Sequence, residues 1–273
     1  MALNISTNVA SLNAQRHLQE TGASLNQSLE RLASGLRINH ASDDAAGLAI
    51  ADRLRADVRI ATQAVRNAND GISALSIGEQ ALGKSGEILA RLSELASESA
   101  TGTVSNSQRS ALQEEFTALV SEINRISNTT TFNGVNLLSA GTSVALQIGL
   151  DGTSNSRISF NTIDGSASGI GLSNVSVSTA AAAQSALGAI TSAIATVASR
   201  RGSLGSIESR LNTAIANLQV AQENFAAAES RIRDADIAAE TANLTRASIL
   251  QQAGVSVLAQ ANQQPALALK LLQ

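Results

Sequence analysis

The sequence of 273 residues contains no cysteine, no tryptophan and no tyrosine, and it has a single proline, Pro265. Without cysteine the chain forms neither a disulfide nor a thiolate metal site. Proline costs about 3 kcal/mol inside a helix, so its absence upstream of Pro265 permits long uninterrupted helices. Aromatic residues make up only 1% of the chain, which argues against a ligand pocket lined by rings.

The chain also lacks a strong excess of either charge. Nineteen basic and 22 acidic residues give a formal net charge of −3. This near balance provides neither the basic surface that binds nucleic acid nor a polybasic membrane patch. The first 20 residues lack the apolar run of a cleaved signal peptide, and no stretch approaches the roughly 18 apolar residues of a membrane span. We therefore expect no nucleic-acid partner and no membrane insertion.

Apolar residues make up 44% of the chain, and over much of its length they recur in steps of three and four. A Ser-, Thr- and Gly-containing break at residues 97–107 separates two such runs, which together predict an antiparallel helical hairpin. Helical spacing returns between Leu187 and Phe225. The clearest run has the pattern of a coiled-coil seam: Ala51, Leu54, Val58, Ala61, Val65, Ala68, Ile72 and Leu75.

The period changes to two between about residues 130 and 179. Residues 151–155, Asp-Gly-Thr-Ser-Asn, supply turn chemistry between two alternating segments, so we predict a β-hairpin. Val175 and Val177 predict a further short strand. The fold class is therefore mainly α: a long antiparallel helical bundle or coiled coil with a small β-hairpin region in the middle of the chain. The alternating apolar residues are Val144, Leu146 and Ile148, then Ile158 and Phe160.

The last zone, from Ala235 to Gln273, is rich in leucine and carries few charges. Such a helix exposes apolar surface on a monomer, and burying that surface at about 25 cal/mol per Å² contributes several kcal/mol per subunit. We expect both chain ends to be disordered in the free chain and helical in an assembly. The candidate assembly interface, within or between subunits, is Ile5, Val9, Leu12, Leu18 and Leu25 facing Leu250, Val257, Leu258, Leu267 and Leu271.

No catalytic, cofactor or metal site emerges, and the chain is not expected to be an enzyme. Asp43 and Asp44 form an acidic pair, but helix N-terminal capping after Ser42 is the better interpretation. His17 and His40 lack metal-ligand spacing. A soluble enzyme with a coiled-coil domain would need a convergent polar pocket.

Four ordered motifs resemble bacterial flagellins. They are MALNISTNVASLNAQRHL at the start, RLASGLRINHASDDAAGLAIADRLR from Arg31 to Arg55, TTFNGVNLL from Thr130 to Leu138, and SRIRDADIAAETANLTRASILQQAGVSVLAQANQQP from Ser230 to Pro265. The resemblance covers both ends of the chain and most of what lies between. It implies a structural subunit that polymerises through its terminal helices into the flagellar filament. The alternative is a hook–filament junction protein, which forms a limited ring.

The resemblance also implies a domain organisation. Residues 1–42 with 234–273 would form a discontinuous inner helical domain, and residues 43–233 a middle helical domain that carries the β-hairpin. Large outer domains are absent, so the chain looks like a short-form flagellin.

Partners and location follow from the same resemblance. The implied partners are further copies of the chain, the flagellar export chaperone, the filament cap and the hook–filament junction proteins. The implied location is the extracellular filament, reached unfolded through the flagellar type III secretion apparatus without a cleaved signal. Some flagellins bind Toll-like receptor 5 through a helical patch whose matching positions are Arg91, Leu95 and Glu115. The flanking Ala90 and Ser93 depart from that pattern, and a solvated helix face is the competing interpretation.

Overall fold

The computed structural model describes the backbone of residues 7–271 and the side chains of residues 7–263. Long helices dominate the chain, and four short strands lie between the third and fourth helices. The predicted fold class, mainly α with a small β region in the middle, is confirmed. The helices are α1 (Val9–Ser34), α2 (Ala45–Ala100), α3 (Asn106–Thr129), α4 (Ala180–Arg233) and α5 (Ile237–Leu271).

The chain divides into two compact units. The terminal unit comprises the chain up to Asp57 and from Asn224 onward, and the middle unit comprises Val58–Glu223. These limits fall within α2 and α4. The domain limits predicted at residues 42 and 233 stay a prediction.

In the middle unit, α2, α3 and α4 supply most of the buried core. The seam predicted for α2 lies on one face of the helix, since Ala68 and Leu75 are buried and Val65 and Ile72 are half-buried. By length and composition α4 is apolar enough to cross a membrane, but its apolar stripe packs into this core. The other buried positions include Leu82, Leu89 and Leu92 of α2, Phe116 and Ile123 of α3, and Ile190, Val197, Leu204 and Leu211 of α4.

The predicted helical hairpin is confirmed, with α2 ending at Ala100 and α3 beginning at Asn106. Ser105 and Gln108 form a capping box at the start of α3. Arg109 stabilises the turn between α2 and α3. Its Nε donates to the carbonyl of Ser99 at 2.9 Å, and its Nη2 donates to the carbonyl of Thr101 at 2.9 Å. Because these carbonyls lie at or just beyond the end of α2, a buried arginine satisfies acceptors that the helix leaves open.

The predicted β-hairpin is present. Strands β3 (Ser143–Gln147) and β4 (Arg157–Asn161) pair antiparallel, with Val144 opposite Phe160 and Leu146 opposite Ile158. These four side chains pack in or against the core of the middle unit. The alternation of apolar and polar residues therefore set the face of the hairpin that is buried.

A second, smaller hairpin was not predicted. Strands β1 (Thr131–Phe132) and β2 (Val135–Asn136) pair antiparallel around Asn133 and Gly134. Both turn residues have positive φ angles, 49° and 79°, as a type I′ turn requires. The Asn-Gly dipeptide was the signal that could have found it.

The short strand predicted at Val175 and Val177 is wrong, because the segment pairs with no strand among residues 7–271. Instead, side chains satisfy the backbone of Val177. Its N–H donates to Gln113 Oε1 at 2.6 Å, and its carbonyl accepts from Ser99 Oγ at 2.5 Å. Val177 is fully buried, so the apolar spacing reflected packing and not strand pairing.

Candidate assembly surface

Helices α1 and α5 pair antiparallel in the terminal unit. Asn8 Nδ2 donates to the carbonyl of Ala261 at 2.8 Å, and Ser11 Oγ donates to Asn262 Oδ1 at 2.8 Å. Towards the other end of the pair, Arg31 Nη1 lies 3.9 Å from Glu240 Oε2. Residues at the start of α1 therefore contact the later part of α5, and residues at the end of α1 contact the start of α5, as in an antiparallel pair.

The seam of this helix pair buries small side chains. A Cβ added at Gly254 would lie 3.4 Å from Leu18 Cδ1, so the glycine makes room for the leucine. Small residues at a contact let two helices approach closely. The buried seam residues that are small are Ser11, Ala14 and Ser28 of α1, with Ala247 and Ala261 of α5.

Large apolar side chains of the same two helices point to solvent. They are between 48% and 60% exposed, so they lie outside the seam. Monomeric proteins rarely leave many such residues on one helix pair, and exposed apolar surface of this kind marks an interaction site. These residues are Val9, Leu12 and Leu29 of α1, with Ile237, Ile249, Leu250, Val255 and Val257 of α5.

The predicted interface residues fall into three groups. Val9, Leu12, Leu250 and Val257 are exposed, whereas Leu18, Leu25 and Leu258 are half-buried. Ile5 and the side chains of Leu267 and Leu271 lie outside the described residues. Sequence reasoning missed Ile237, Ile249 and Val255, because α5 carries apolar residues on several sides and shows no single stripe. It also missed Leu29 of α1, which is 48% exposed.

One charged pair is built into the seam. Glu240 is only 8% exposed, and the side chain of Arg31 is 25% exposed. Glu240 lies in the first turn of α5 and Arg31 in the last turn of α1, where each charge is favoured by the helix dipole. Arg31 Nε is buried and has no hydrogen-bond partner among the described residues. The carboxylate of Glu240 therefore offsets much of the cost of burying the guanidinium charge.

Backbone contacts join the two chain halves beside this pair. Helix α1 ends at Ser34 and is capped by Gly35, whose φ of 73° is left-handed. Leu36 and Asp234 then form an isolated antiparallel bridge, with the Arg37 N–H donating to the Arg233 carbonyl at 2.6 Å and the Ala235 N–H donating to the Gly35 carbonyl at 2.9 Å. The breaks after α1 and before α5 are thus fixed to each other.

Both side chains of the acidic pair after Ser42 bond to the backbone, but of the two residues for which helix capping was predicted only Asp44 caps a helix. Asp44 Oδ1 accepts from the Gly47 N–H at 2.8 Å and caps α2. Asp43 Oδ2 accepts from the N–H groups of His40 and Asn39 at 3.0 and 3.1 Å. Those two bonds, the one from His40 first, lower the pKa of the Asp43 carboxyl.

The two histidines bond to single carboxylates. His17 Nδ1 lies 3.3 Å from Glu20 Oε2, and His40 Nε2 lies 2.6 Å from Glu30 Oε1. Within the described part of the chain no cluster of three His, Cys, Asp or Glu side chains has metal-binding geometry.

The three receptor-patch positions do not share one exposed surface. Arg91 and Glu115 are exposed and ion-paired at 2.8 Å across α2 and α3, and Arg91 also bonds Glu94 at 2.9 Å. The bonds to Glu94 and then to Glu115 raise the pKa of Arg91. Leu95 is only 1% exposed and belongs to the core of the middle unit.

A paired-helix unit that buries small side chains and exposes large apolar ones is typical of a self-assembling structural subunit. Comparison with known families agrees. The model for the bacterial flagellin N-terminal helical region matches residues 5–143, and the model for the C-terminal helical region matches residues 187–272. The chain belongs to the bacterial flagellin family.

Three relatives match along nearly the whole chain. Flagellin from Halalkalibacterium halodurans is 43% identical over 98% of this chain and 99% of its own length. The flagellar filament 33 kDa core protein of Treponema phagedenis is 36% identical over 98% and 99%. Flagellin A of Vibrio cholerae is 35% identical over 100% of both chains, in an alignment of 379 residues. Because this chain has 273 residues, it is a short form relative to that protein.

Solved structures are also similar. The crystal structure of Bacillus cereus flagellin matches with a TM-score of 0.51 and 26% identity, over 56% of this chain and 88% of that one. A chain described as a flagellar hook-associated protein from Vibrio parahaemolyticus matches with a TM-score of 0.59 over 70% of this chain and 100% of that one. At 14% identity the second match shows a shared fold alone.

Proposed function

We propose that this chain is the subunit of a bacterial flagellar filament and that it polymerises through the exposed apolar faces of α1 and α5. Its relatives include a flagellar filament core protein, and its family is structural. The proposed surface rests on one observation: serine and alanine side chains are buried between α1 and α5, whereas large apolar side chains of the same helices are exposed. This is the reverse of the usual arrangement in a monomeric protein.

The magnitudes explain why a copy of the chain is the natural partner. Burying a Val, Leu or Ile side chain fully contributes about 1.5–3 kcal/mol, so the eight exposed side chains offer on the order of 10 kcal/mol if neighbours cover them. Association itself costs about 4–15 kcal/mol. One partial contact is therefore insufficient, whereas a helical polymer surrounds each subunit with several neighbours.

A matched pair of substitutions tests the surface. Val257 in α5 is 55% exposed, and Val220 in α4, within the middle unit, is 59% exposed. Val257→Asp should abolish elongation from filament fragments, because it would place a carboxylate in the subunit contact. Val220→Asp makes the same chemical change at similar exposure, and filaments of this variant should still elongate. Normal elongation by Val257→Asp would contradict the proposed surface.

The function is structural and not catalytic. Asp43 and Asp44, the acidic pair that could suggest acid–base chemistry, both accept backbone N–H donors. Those bonds occupy both carboxylates with the backbone of the chain, and for Asp43 they lower the pKa of the carboxyl, which favours its charged form.

The proposed partners and location follow the family. The subunit works outside the cell in the flagellum, after export through the flagellar type III apparatus, and meets the export chaperone, the filament cap and the junction proteins on the way. A strain without that apparatus should retain the chain in the cell, and secretion by such a strain would contradict the route. Seeded elongation without limit separates the filament subunit from the junction protein, which would stop at a ring.

Recognition by Toll-like receptor 5 is a second proposed function. The exposed Arg91–Glu115 pair is the part of the patch that a receptor can contact, whereas buried Leu95 would act by holding α2 in place. Arg91→Ala should lower a receptor reporter signal given by monomer. Arg125→Ala removes another exposed arginine of this unit, one paired within α3, and should leave the signal unchanged. Equal signals from both variants would show that Arg91 does not contribute to receptor binding.

A further inference from the structure

The turn between β1 and β2 lies outside the proposed assembly surface of α1 and α5 and contains a reactive pair of residues. Asn133 and Gly134 are the only Asn–Gly pair in the sequence, and both residues are exposed. Both occupy the left-handed region, with φ angles of 49° and 79°. The chain offers an internal comparison, since Asn174 has a similar φ of 62° but is followed by Val175.

We infer that Asn133 is a self-modification site at which the folded chain converts its side-chain amide to a carboxylate. The backbone nitrogen of Gly134 attacks Asn133 Cγ, forming a C–N bond in a five-membered imide and releasing ammonia. Water then adds to one imide carbonyl and breaks a C–N bond, which leaves aspartate or its β-linked isomer. The net change is asparagine plus water to the acid plus ammonia, with no oxidant or reductant.

Two features place this reaction at Asn133. Glycine has no side chain to obstruct the attack on Cγ, whereas the branched Val175 crowds the same approach beside Asn174. The Asn133 amide makes no hydrogen bond within the described residues. By contrast, Asn136 in the same hairpin donates to the carbonyls of Ser127 and Asn128 at 3.1 and 3.0 Å.

The turn must open for the attack, and little holds it closed. The ladder between β1 and β2 contains only two residue pairs, Thr131 with Asn136 and Phe132 with Val135. Local opening of such a short exposed hairpin takes much less free energy than global unfolding. The folded chain therefore samples the reactive conformation without losing its helical core.

The two products have different consequences. Aspartate followed by glycine also suits a type I′ turn, so that product keeps the hairpin and adds one negative charge to the present −3. The β-linked product lengthens the main chain inside a two-residue loop and shifts the register that the loop fixes. The bond from the Leu137 N–H to the Thr130 carbonyl, 3.0 Å long, would then be lost.

The experiment follows both asparagines in the same full-length chain. Folded protein is incubated in ordinary water and then digested in heavy-oxygen water, so that conversion during digestion carries the heavy label and is subtracted. Peptide mass spectrometry then gives the rate of amide loss at Asn133 and at Asn174. We expect Asn133 to convert faster by on the order of tenfold or more, equivalent to about 1.4 kcal/mol in the barrier.

Two outcomes overturn the inference. Equal rates at Asn133 and Asn174 would show that the glycine has no effect. Conversion of Asn133 only after denaturation would show that the folded turn does not react. The inference is independent of polymerisation, because it is measured on the unassembled chain and its failure leaves the filament function untouched.

Discussion

Removing the carboxylate of Glu240 should weaken the filament more than removing any comparable surface carboxylate. Arg31 and Glu240 lie 3.9 Å apart, and at an effective dielectric constant of 20 such charges attract by about 4 kcal/mol. Desolvation offsets part of this attraction, and breaking a fully buried pair typically costs about 3–5 kcal/mol. The contact is long and Arg31 keeps 25% exposure, so we expect Glu240→Ala to cost about 2–3 kcal/mol.

The assay is the subunit concentration at which seeded filaments stop growing. Because the end helices are expected to order as subunits assemble, the lost stability should raise this critical concentration by roughly 30- to 150-fold, at 1.4 kcal/mol per tenfold change. Glu229→Ala is the matched control. Glu229 pairs with Arg55 at 2.9 Å in the same unit, but its partner is 42% exposed, so the control should cost at most about 1 kcal/mol. That cost would raise the critical concentration by roughly fivefold.

Two results would refute this reasoning. An unchanged critical concentration for Glu240→Ala would mean that the pair does not stabilise the assembled state. If the effects of Arg31→Ala and Glu240→Ala simply add in the double variant, the two side chains do not interact, whatever their separate costs.

Three further predictions concern single residues. Asp44→Ala should lower the unfolding free energy by about 1 kcal/mol because the cap on α2 is lost, and Asp44→Asn should retain most of it; thermal unfolding compares the two. The pKa of Asp43 is lowered in the folded chain, so its contribution is present above the unfolded value of about 3.9 and disappears as the pH falls below that value. The protection of the His40 amide against hydrogen exchange, relative to the unfolded chain at the same pH, should therefore fall only in acid, and Asp43→Asn should remove that pH dependence. Gly86 has no atom within 4 Å of an added Cβ, so Gly86→Ala should raise helix stability by about 1 kcal/mol, and a lower denaturation midpoint would show that the space is filled.

Periodicity was enough to locate most of the regular structure. Alternating steps of three and four placed α2 and its buried face, and steps of two placed β3 and β4. Both patterns arise from local geometry, since each helix or strand must turn one face to the core. The strand expected at Val177 did not form, because strand formation also requires a second strand to pair with. Only tertiary contacts decide whether that second strand is present.

The candidate site was harder to predict. The sequence indicated that the chain ends were apolar, and the motifs from Arg31 to Arg55 and from Ser230 to Pro265 indicated the family. It did not separate Leu18, which meets Gly254 in the seam, from Leu12, which is exposed. That separation depends on how α1 and α5 are rotated and aligned against each other, and neither helix encodes it alone.

Composition and residue spacing are properties of a single chain segment, so they were sufficient to predict a helical, cysteine-free protein with apolar ends. The burial of Glu240 beside Arg31 and the bridge from Leu36 to Asp234 that joins the two halves became visible only in the folded chain. These residues are some 200 positions apart in the chain, and long-range pairing depends on packing and desolvation, which no local pattern records.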